Sequence, residues 1–375
     1  HTIPSGVFNK GCTNIIGNGV IIDAKILKDE IDDLQNAGVD VKANLMISDK
    51  AHLIFPSHRA LDAANENALG KLKIGSTLKG IGPTYTDKTA RRGVRVGDIL
   101  SPDFLSRYNK LKETHLAMIR NLNLDIDTLK LDNMSFEEYE KTWFDAVDFL
   151  KQFRFIESEY YINDALDKGK RVLAEGAQGS MLDVDFGSYP YVTSSSVVAA
   201  SACIGLGVAP VRVGKVYGIF KAYCTRVGMG PFHTELFDEV GETLRAKGHE
   251  FGATTGRPRR TGWLDLPALK YACIINGVTN LMMMKSDVMN DFEEIKVATA
   301  YEYDGKVIDY LPYEAAKINL KPVYTTLKGW NCNITDIIPN ELEQYIGFIE
   351  NYLGVPVSFV SYGPDRTENI VRDPE

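Results

Sequence analysis

Cysteine is scarce in this chain and badly placed for bridging. Its five residues (Cys12, Cys203, Cys224, Cys273 and Cys332) are odd in number, widely spaced and never form a CxxC pair. That fits neither a disulfide framework nor a structural zinc site, and a reducing, cytoplasmic compartment is the simplest expectation. A basic excess is missing too. Forty-two Lys and Arg stand against fifty Asp and Glu, for a net charge of −8, which argues against nucleic acid or a membrane surface as partner. No apolar run approaches the ~18–20 residues of a membrane span, and the longest apolar patch, residues 197–213, is broken by Ser, Gly and Pro. Several catalytic signatures are also missing. The six histidines (His1, His52, His58, His115, His233, His249) show no HExxH or paired metal spacing. There is no GxSxG elbow, no GxGxxG after a strand and no GxxxxGK[ST] phosphate loop. Repeats, low-complexity tracts and sustained heptads are lacking as well, so nothing cuts the chain into independent modules.

What is present is globular: 44% hydrophobic and 25% charged residues over 375 positions, enough apolar material for a large core. Asp23 can cap a helix with Ile26, Leu27, Ile31 and Leu34 on one face and Gly38 at its end. Ser57 opens a second helix, with Leu61, Ala64, Ala68 and Leu69 along its stripe. Residues 101–170 read as a charged, largely helical excursion. Short apolar runs at 171–174, 215–224, 281–284, 296–303 and 355–360 read as buried strands, and Asn340–Leu353 as an amphipathic helix closed by Gly354. The expected fold is α/β, a large, mostly parallel central sheet flanked by helices, P-loop-NTPase-like, with helical excursions. The whole chain, 1–375, is expected to form one domain carrying the 101–170 helical subdomain.

Ligands of such folds sit at the carboxyl ends of strands, and the chain's chemistry-bearing motifs fall there. Lys285-Ser286-Asp287 follows an apolar strand. Its carboxylate can accept from the N1–H and exocyclic amine of guanine while the lysine stem packs on the purine face, a choice of GTP over ATP. Alternatively, Asp287 caps the next helix. The run from Gly252 to Trp263 places Arg257, Arg259 and Arg260 within four positions among Gly, Thr and Pro. Guanidinium forks on such a loop suit carboxylate or phosphate, against the alternative of a salt-bridged surface loop. The glycines of residues 75–83 and the Ser/Thr string at 193–196 offer donors to a phosphate, or simple turns. A Gln in a glycine-flanked turn, as at Gln178, can hydrogen-bond a neutral heterocycle. Ser361-Tyr362-Gly363-Pro364 is a tight turn at a strand end.

Taken in order, these motifs resemble one family. The stretches EGAQG (175–179), YPYVTSS (189–195), TRVGMGPF (225–232), EFGATTGRPRRTGWLD (250–265) and GPDRTE (363–368) are similar to adenylosuccinate synthetases, and the similarity runs over essentially the whole length. The resemblance implies a ligase that joins IMP to L-aspartate at the expense of GTP, with Mg²⁺, through a 6-phosphoryl-IMP intermediate. It implies IMP contacts from Thr77, Gln178, Thr193 and Arg257, with Gln178 at the reacting centre. Arg91 would reach into a partner subunit to bind the IMP phosphate, so a homodimer is implied. Ala253, Thr254, Thr255, Gly256, Arg257 and Arg259 correspond to the aspartate loop. Arg259, Lys285, Ser286, Asp287, Ser361, Tyr362 and Gly363 correspond to the GTP site.

The resemblance also implies residues upstream of His1. The family's glycine-rich loop, its aspartate base and Mg²⁺ ligand, and its catalytic histidine precede the H-x-I-P-S-G stretch, so no metal ligand is expected within 1–375. By itself the chain is expected neither to fold properly nor to turn over. Ser76, Leu78-Lys79 and Pro258 depart from the usual family residues; Pro258 stiffens its loop. Two other readings are a GTP-binding regulatory protein without turnover and a different purine phosphotransferase, the latter having no use for a dicarboxylate site at Arg257 and Arg259.

Overall fold

The computed structural model describes residues 1–70, 75–252, 256–318, 320–330 and 337–372. Their contacts group into two compact units, 1–179 with 193–213 and 180–192 with 214–375.

In the first unit the elements run β1 (Asn14–Ile16), β2 (Ile21–Asp23), α1 (Ala24–Asn36), α2 (Val41–Asn44), β3 (Leu45–Ser48), β4 (His52–Ile54), α3 (Pro56–Ala68), α4 (Ile81–Thr89), α5 (Phe104–Asn121), α6 (Phe136–Leu150), β5 (Arg154–Ile156), α7 (Ser158–Asp167) and α8 (Ser201–Leu206). All of its strand pairs are parallel: β1 with β3, β3 with β5, and β2 with β4. Asp23 caps α1 as expected, its carboxylate accepting from the N–H groups of Lys25 and Ile26 at 3.0 and 3.4 Å. Leu27 and Ile31 are buried. The second expected helix needs correction at both ends. It begins at Pro56, with Pro in the first turn where its missing N–H costs nothing, so Ser57 lies inside it and donates to or accepts from His115 Nδ1 at 2.8 Å. Its buried stripe runs out before Ala68 and Leu69, which are exposed. The unit's core centres on Phe55, Tyr108, Trp143 and Phe144, whose rings pack at 4.6–5.4 Å. The Trp143 indole N–H is satisfied by the Ile54 carbonyl at 2.9 Å.

The second unit contains β6 (Tyr217–Lys221), β7 (Cys224–Arg226), α9 (Glu239–Lys247), β8 (Arg260–Gly262), β9 (Leu264–Asp265), α10 (Leu266–Asn276), β10 (Asn280–Met284), β11 (Glu294–Tyr303), β12 (Lys306–Ile308), β13 (Lys321–Lys328), α11 (Asn340–Leu353), β14 (Val357–Ser361) and β15 (Asn369–Val371). One sheet has the order β15-β14-β10-β6. Its inner pairs are parallel and β15 is an antiparallel addition. At the far edge, β6 leaves Ile219 72% and Tyr217 44% exposed. The strand expected at 296–303 forms as β11, but antiparallel to β13. Its alternating burial fits that pairing better than a two-sided parallel core.

Two other strand expectations change. Residues 171–174 form no strand and are exposed, Leu173 at 84%. An apolar run without a neighbouring strand to complete its backbone ladder has no reason to stay extended, and among the described residues it has none. Residues 215–224 divide into β6 and β7 around buried Ala222 and Tyr223. The α/β class, parallel strands flanked by helices, is nonetheless what the chain adopts.

Candidate active site

In the second unit, parallel neighbours β10 and β14 deliver their carboxyl ends to one edge of the sheet. Lys285–Asp287 leaves the first and Ser361–Gly363 the second, and the two segments are bonded together. Ser286 donates its N–H and its hydroxyl to the Ser361 carbonyl, at 3.1 and 2.9 Å. Its own carbonyl accepts from Trp330 Nε1 at 3.0 Å, and Ser361 Oγ donates to the Gly363 carbonyl at 2.9 Å. Lys285 is held at φ 60°, a left-handed conformation that costs of order 1 kcal/mol outside glycine and that collects at ligand sites. Asp287 starts a short 3-10 turn and is half-buried. Burial raises its carboxyl pKa, while the N–H groups of Asp287 and Val288 oppose that shift. Tyr362 donates its N–H to the Glu368 carbonyl at 3.0 Å.

The three arginines of the 252–263 run separate cleanly. Arg260 is consumed by structure: its Nε binds Glu235 at 2.8 Å, and its Nη1 donates to the Gly228 and Gly230 carbonyls at 3.1 and 2.9 Å. Arg259 gives Nη1 to Glu250 at 2.8 Å, while its buried Nε has no protein acceptor among the described residues. Arg257 is exposed on the loop, whose base is closed by Gly252 N–H to the Arg257 carbonyl and Arg259 N–H to the Glu250 carbonyl, each 2.8 Å. Gly256, at φ 62°, turns the loop. Ala253, Thr254 and Thr255 lie outside the described residues.

Glu250 was not singled out in the sequence, although it opens the EFGATTGRPRR stretch. Its side chain is fully buried and gathers Lys221 Nζ at 2.8 and 2.9 Å, Tyr223 hydroxyl at 2.6 Å, Arg259 Nη1 at 2.8 Å and Lys285 Nζ at 3.1 Å. Burial alone would raise its pKa; the hydrogen bonds from Lys221, Tyr223 and Lys285, with the Lys221 charge, hold it down at about 2. Glu250 stands seven positions before Arg257, and no local spacing announces the cluster.

In the first unit, the loop at 75–80 is fastened to α3. Glu66 accepts from Gly75 and Ser76 N–H at 2.6 and 3.3 Å, and Asp62 accepts from Ser76 Oγ and Gly80 N–H at 2.8 and 2.9 Å. The N–H groups of Gly75, Ser76 and Gly80 are therefore spent within the protein. Gly80 is required: at φ 76° a Cβ would sit 2.9 Å from Arg59 N. Thr77 is left exposed on the loop. Helix α4 then packs on the 193–196 string, with Ser194 Oγ 3.3 Å from where a Gly82 Cβ would lie and the Tyr85 hydroxyl bonded to Ser195. Thr193 is half-buried there. Gln178 is exposed at φ 61°. Nearby, Glu175 accepts from Ser5 N–H and Oγ at 3.0 and 2.8 Å, tying the 1–6 stretch to the 175–179 turn.

Arg91 follows α4, exposed and at φ 63°, and the turn that carries it is gripped by Asp87. The Asp87 carbonyl accepts from Arg92 and Gly93 N–H at 3.0 and 3.1 Å, and its Oδ1 from Arg92 Nε at 2.6 Å. Its Oδ2 faces His58 Nε2 at 2.9 Å and His115 Nε2 at 2.7 Å. His58 Nδ1 accepts the Phe55 N–H at 2.8 Å, which places the ring proton on Nε2, donated to Asp87. The ligand-type atoms of His58, Asp87 and His115 lie within 4.8 Å of one another. Two imidazole nitrogens and one already saturated carboxylate do not suit Mg²⁺, which takes hard oxygen ligands and water.

The match that decides the family spans residues 1–370, which fit the adenylosuccinate synthetase family model. The chain belongs to this family. Among its relatives, the adenylosuccinate synthetase of Cytophaga hutchinsonii is 55% identical over 380 residues, covering 100% of this chain and 86% of the relative. That of Christiangramia forsetii is 54% identical over 377 residues, covering 99% and 88%. The solved structure of a fully ligated adenylosuccinate synthetase from Plasmodium falciparum superposes with a TM-score of 0.89 at 35% identity, covering 99% of this chain and 87% of that one. The chain is thus of a ligase family of purine biosynthesis, whose members make adenylosuccinate from IMP and L-aspartate with GTP and use Mg²⁺. Among the described residues no helix is long and apolar enough to cross a membrane.

Proposed function

We propose that the chain's own residues divide the ligase reaction between them as follows. Guanine lies against Lys285 and Asp287, the carboxylate accepting from N1–H and the exocyclic amine, with Ser286, Ser361, Tyr362 and Gly363 forming the walls. Adenine offers no N1 donor, so ATP leaves the half-buried Asp287 carboxylate without the two ligand donors that guanine supplies, and binds less tightly. Arg259 borders GTP and, with Arg257 and residues 253–256, grips the two carboxylates of L-aspartate through paired N–H donors. Thr77, Thr193 and Gln178 contact IMP, Gln178 at the reacting base; Arg257 is assigned an IMP contact as well. Arg91 serves the IMP phosphate of a partner subunit in a homodimer. The observation that carries this reading is the Ser286–Ser361 bonding, which joins two segments 75 positions apart at the carboxyl ends of β10 and β14.

The reaction needs two stages because the C6 carbonyl of IMP is amide-like and resists an amine. Transfer of the GTP γ-phosphoryl to that oxygen makes a leaving group, which the aspartate nitrogen displaces. Mg²⁺ supplies charge neutralisation on the phosphates when bound. We place the setting in a reducing cytoplasm, in keeping with the free Cys12, Cys203, Cys224 and Cys273; Cys332 lies outside the described residues. Nothing in the fold or the comparisons favours a nucleotide-binding protein without turnover.

The test is phosphate release by the protein from its complete gene, supplied with GTP, IMP, L-aspartate and Mg²⁺ and then with each omitted in turn. Release that needs all three substrates, and that stops when ATP replaces GTP, is expected. GTP binding with no release in any mixture would overturn the ligase assignment.

A further inference from the structure

Three cations of the second unit close on a single buried anion. Glu250 is 0% exposed, whereas Lys221, Arg259 and Lys285 are 24, 28 and 35% exposed. Each cation is therefore anchored inward and open outward. Lys285 and Arg259 reach Glu250 from 35 and 9 positions away in the chain. They come from the two segments assigned above to the guanine pocket and to the arginine loop.

One buried carboxylate needs only one cation for neutrality. Here three positive charges meet one buried negative; the Asp287 carboxylate also acts on Lys285, and one positive charge remains in excess within a chain of net charge −8. Such a local surplus suits an anionic ligand. The anchoring is also directional. Lys285 Nζ is fixed twice, by Glu250 and by the Gly248 carbonyl at 2.5 Å, which holds its stem while its backbone sits at φ 60°. Arg259 commits Nη1 to Glu250, and its buried Nε is left without a protein acceptor among the described residues. Its backbone N–H is bound to the Glu250 carbonyl at 2.8 Å and its carbonyl to Arg245 Nε at 2.9 Å. Glu250 thus fixes both the main chain and the side chain of the loop's second arginine.

We propose that Glu250 is a positioning residue for the ligase reaction. Its charge holds Lys285 and Arg259 in the geometry that receives GTP and the dicarboxylate, and so couples the two substrate sites. The inference rests on the site assignments of the preceding section. Glu250 touches no substrate; it acts through the two cations.

The experiment is steady-state kinetics on the protein from its complete gene, with Glu250→Gln, which keeps the shape and removes the charge. Lys285→Ala and Arg259→Ala serve as controls. In Glu250→Gln the KM values for GTP and L-aspartate are expected to rise about tenfold, a loss typical of one charged hydrogen bond, while KM for IMP stays within about twofold. A purely structural Glu250 would instead lower the melting temperature and kcat with all three KM values unchanged, and that result overturns the proposal. If both controls raise KM and Glu250→Gln does not, the proposal fails while the site assignments stand. If the controls themselves leave KM unmoved, the assignments fail and the proposal with them. Should Glu250→Gln not fold, Lys221→Gln/Glu250→Gln removes the anion together with the cation bridging both its oxygens. The same KM pattern is expected there, and unchanged KM values again overturn the proposal.

Discussion

At the scale of single residues, His58 shows how burial sets acid behaviour. Burial pushes its pKa down to about 4, although the hydrogen bond to Asp87 pulls the other way. An unfolded histidine titrates near 6.5, so between these values the unfolded chain binds more protons and stability falls as pH falls. At pH 5 the His58 share of that loss is about 2 kcal/mol. Asp265 acts with the opposite sign. Burial lifts its carboxyl to about 6, so acidification from pH 6 to 5 returns about 1 kcal/mol. We expect the His58 ring resonances to keep neutral positions until about pH 4 and the urea midpoint to drop between pH 7 and 5. Titration of that ring near its ordinary value would show that the cluster is open to water. Little of this was legible beforehand. His58 and His115 stand 57 positions apart, with no spacing that announces a cluster, and only the packing of α3, α4 and α5 brings them to Asp87. Arg259, Lys285 and Asp287 could be picked out as candidates because their neighbours are turn formers at strand ends. Glu250 could not, since its role depends on cations from three separate segments.

At the scale of elements, the best-read part was α11, whose limits Asn340–Leu353 and whose closing glycine agree with the structure. Gly354 stands at φ +67°, and its N–H returns to the Glu350 carbonyl at 2.8 Å. A Cβ there would meet nothing within 4 Å, so a side chain would cost only the backbone conformation. Gly354→Ala is therefore expected to destabilise the protein by about 1 kcal/mol, read as a lower urea midpoint with an unchanged slope. Helices were more legible than strands for a physical reason. A helix completes its hydrogen bonds within itself, so caps and periodicity nearly define it, as at Asp23. A strand is completed by neighbours far away in sequence. The apolar run at 171–174 and the antiparallel partner of β11 were therefore beyond local reading.

At the scale of the whole molecule, the two units interleave along the chain, since residues 180–192 belong with 214–375. Within that second unit, Tyr271 donates to the Phe186 carbonyl at 2.9 Å and Asn276 to Ser180 Oγ at 2.8 Å. The proposed homodimer carries a quantitative expectation. Sedimentation should give twice the subunit mass. Arg91→Ala should raise KM for IMP about tenfold while the mass stays dimeric, because the lost contact is one charge-assisted pair to phosphate. An unchanged KM would remove Arg91 from the IMP site.

The open rim formed by β6 bears on how this protein can be handled. Among the described residues β6 pairs on one side only, with β10, and Ile219 protrudes from it; such a strand is a template onto which another extended chain can be laid. Concentrated stocks would begin to polymerise at this seam, and a lysine there is where a more tractable variant would start.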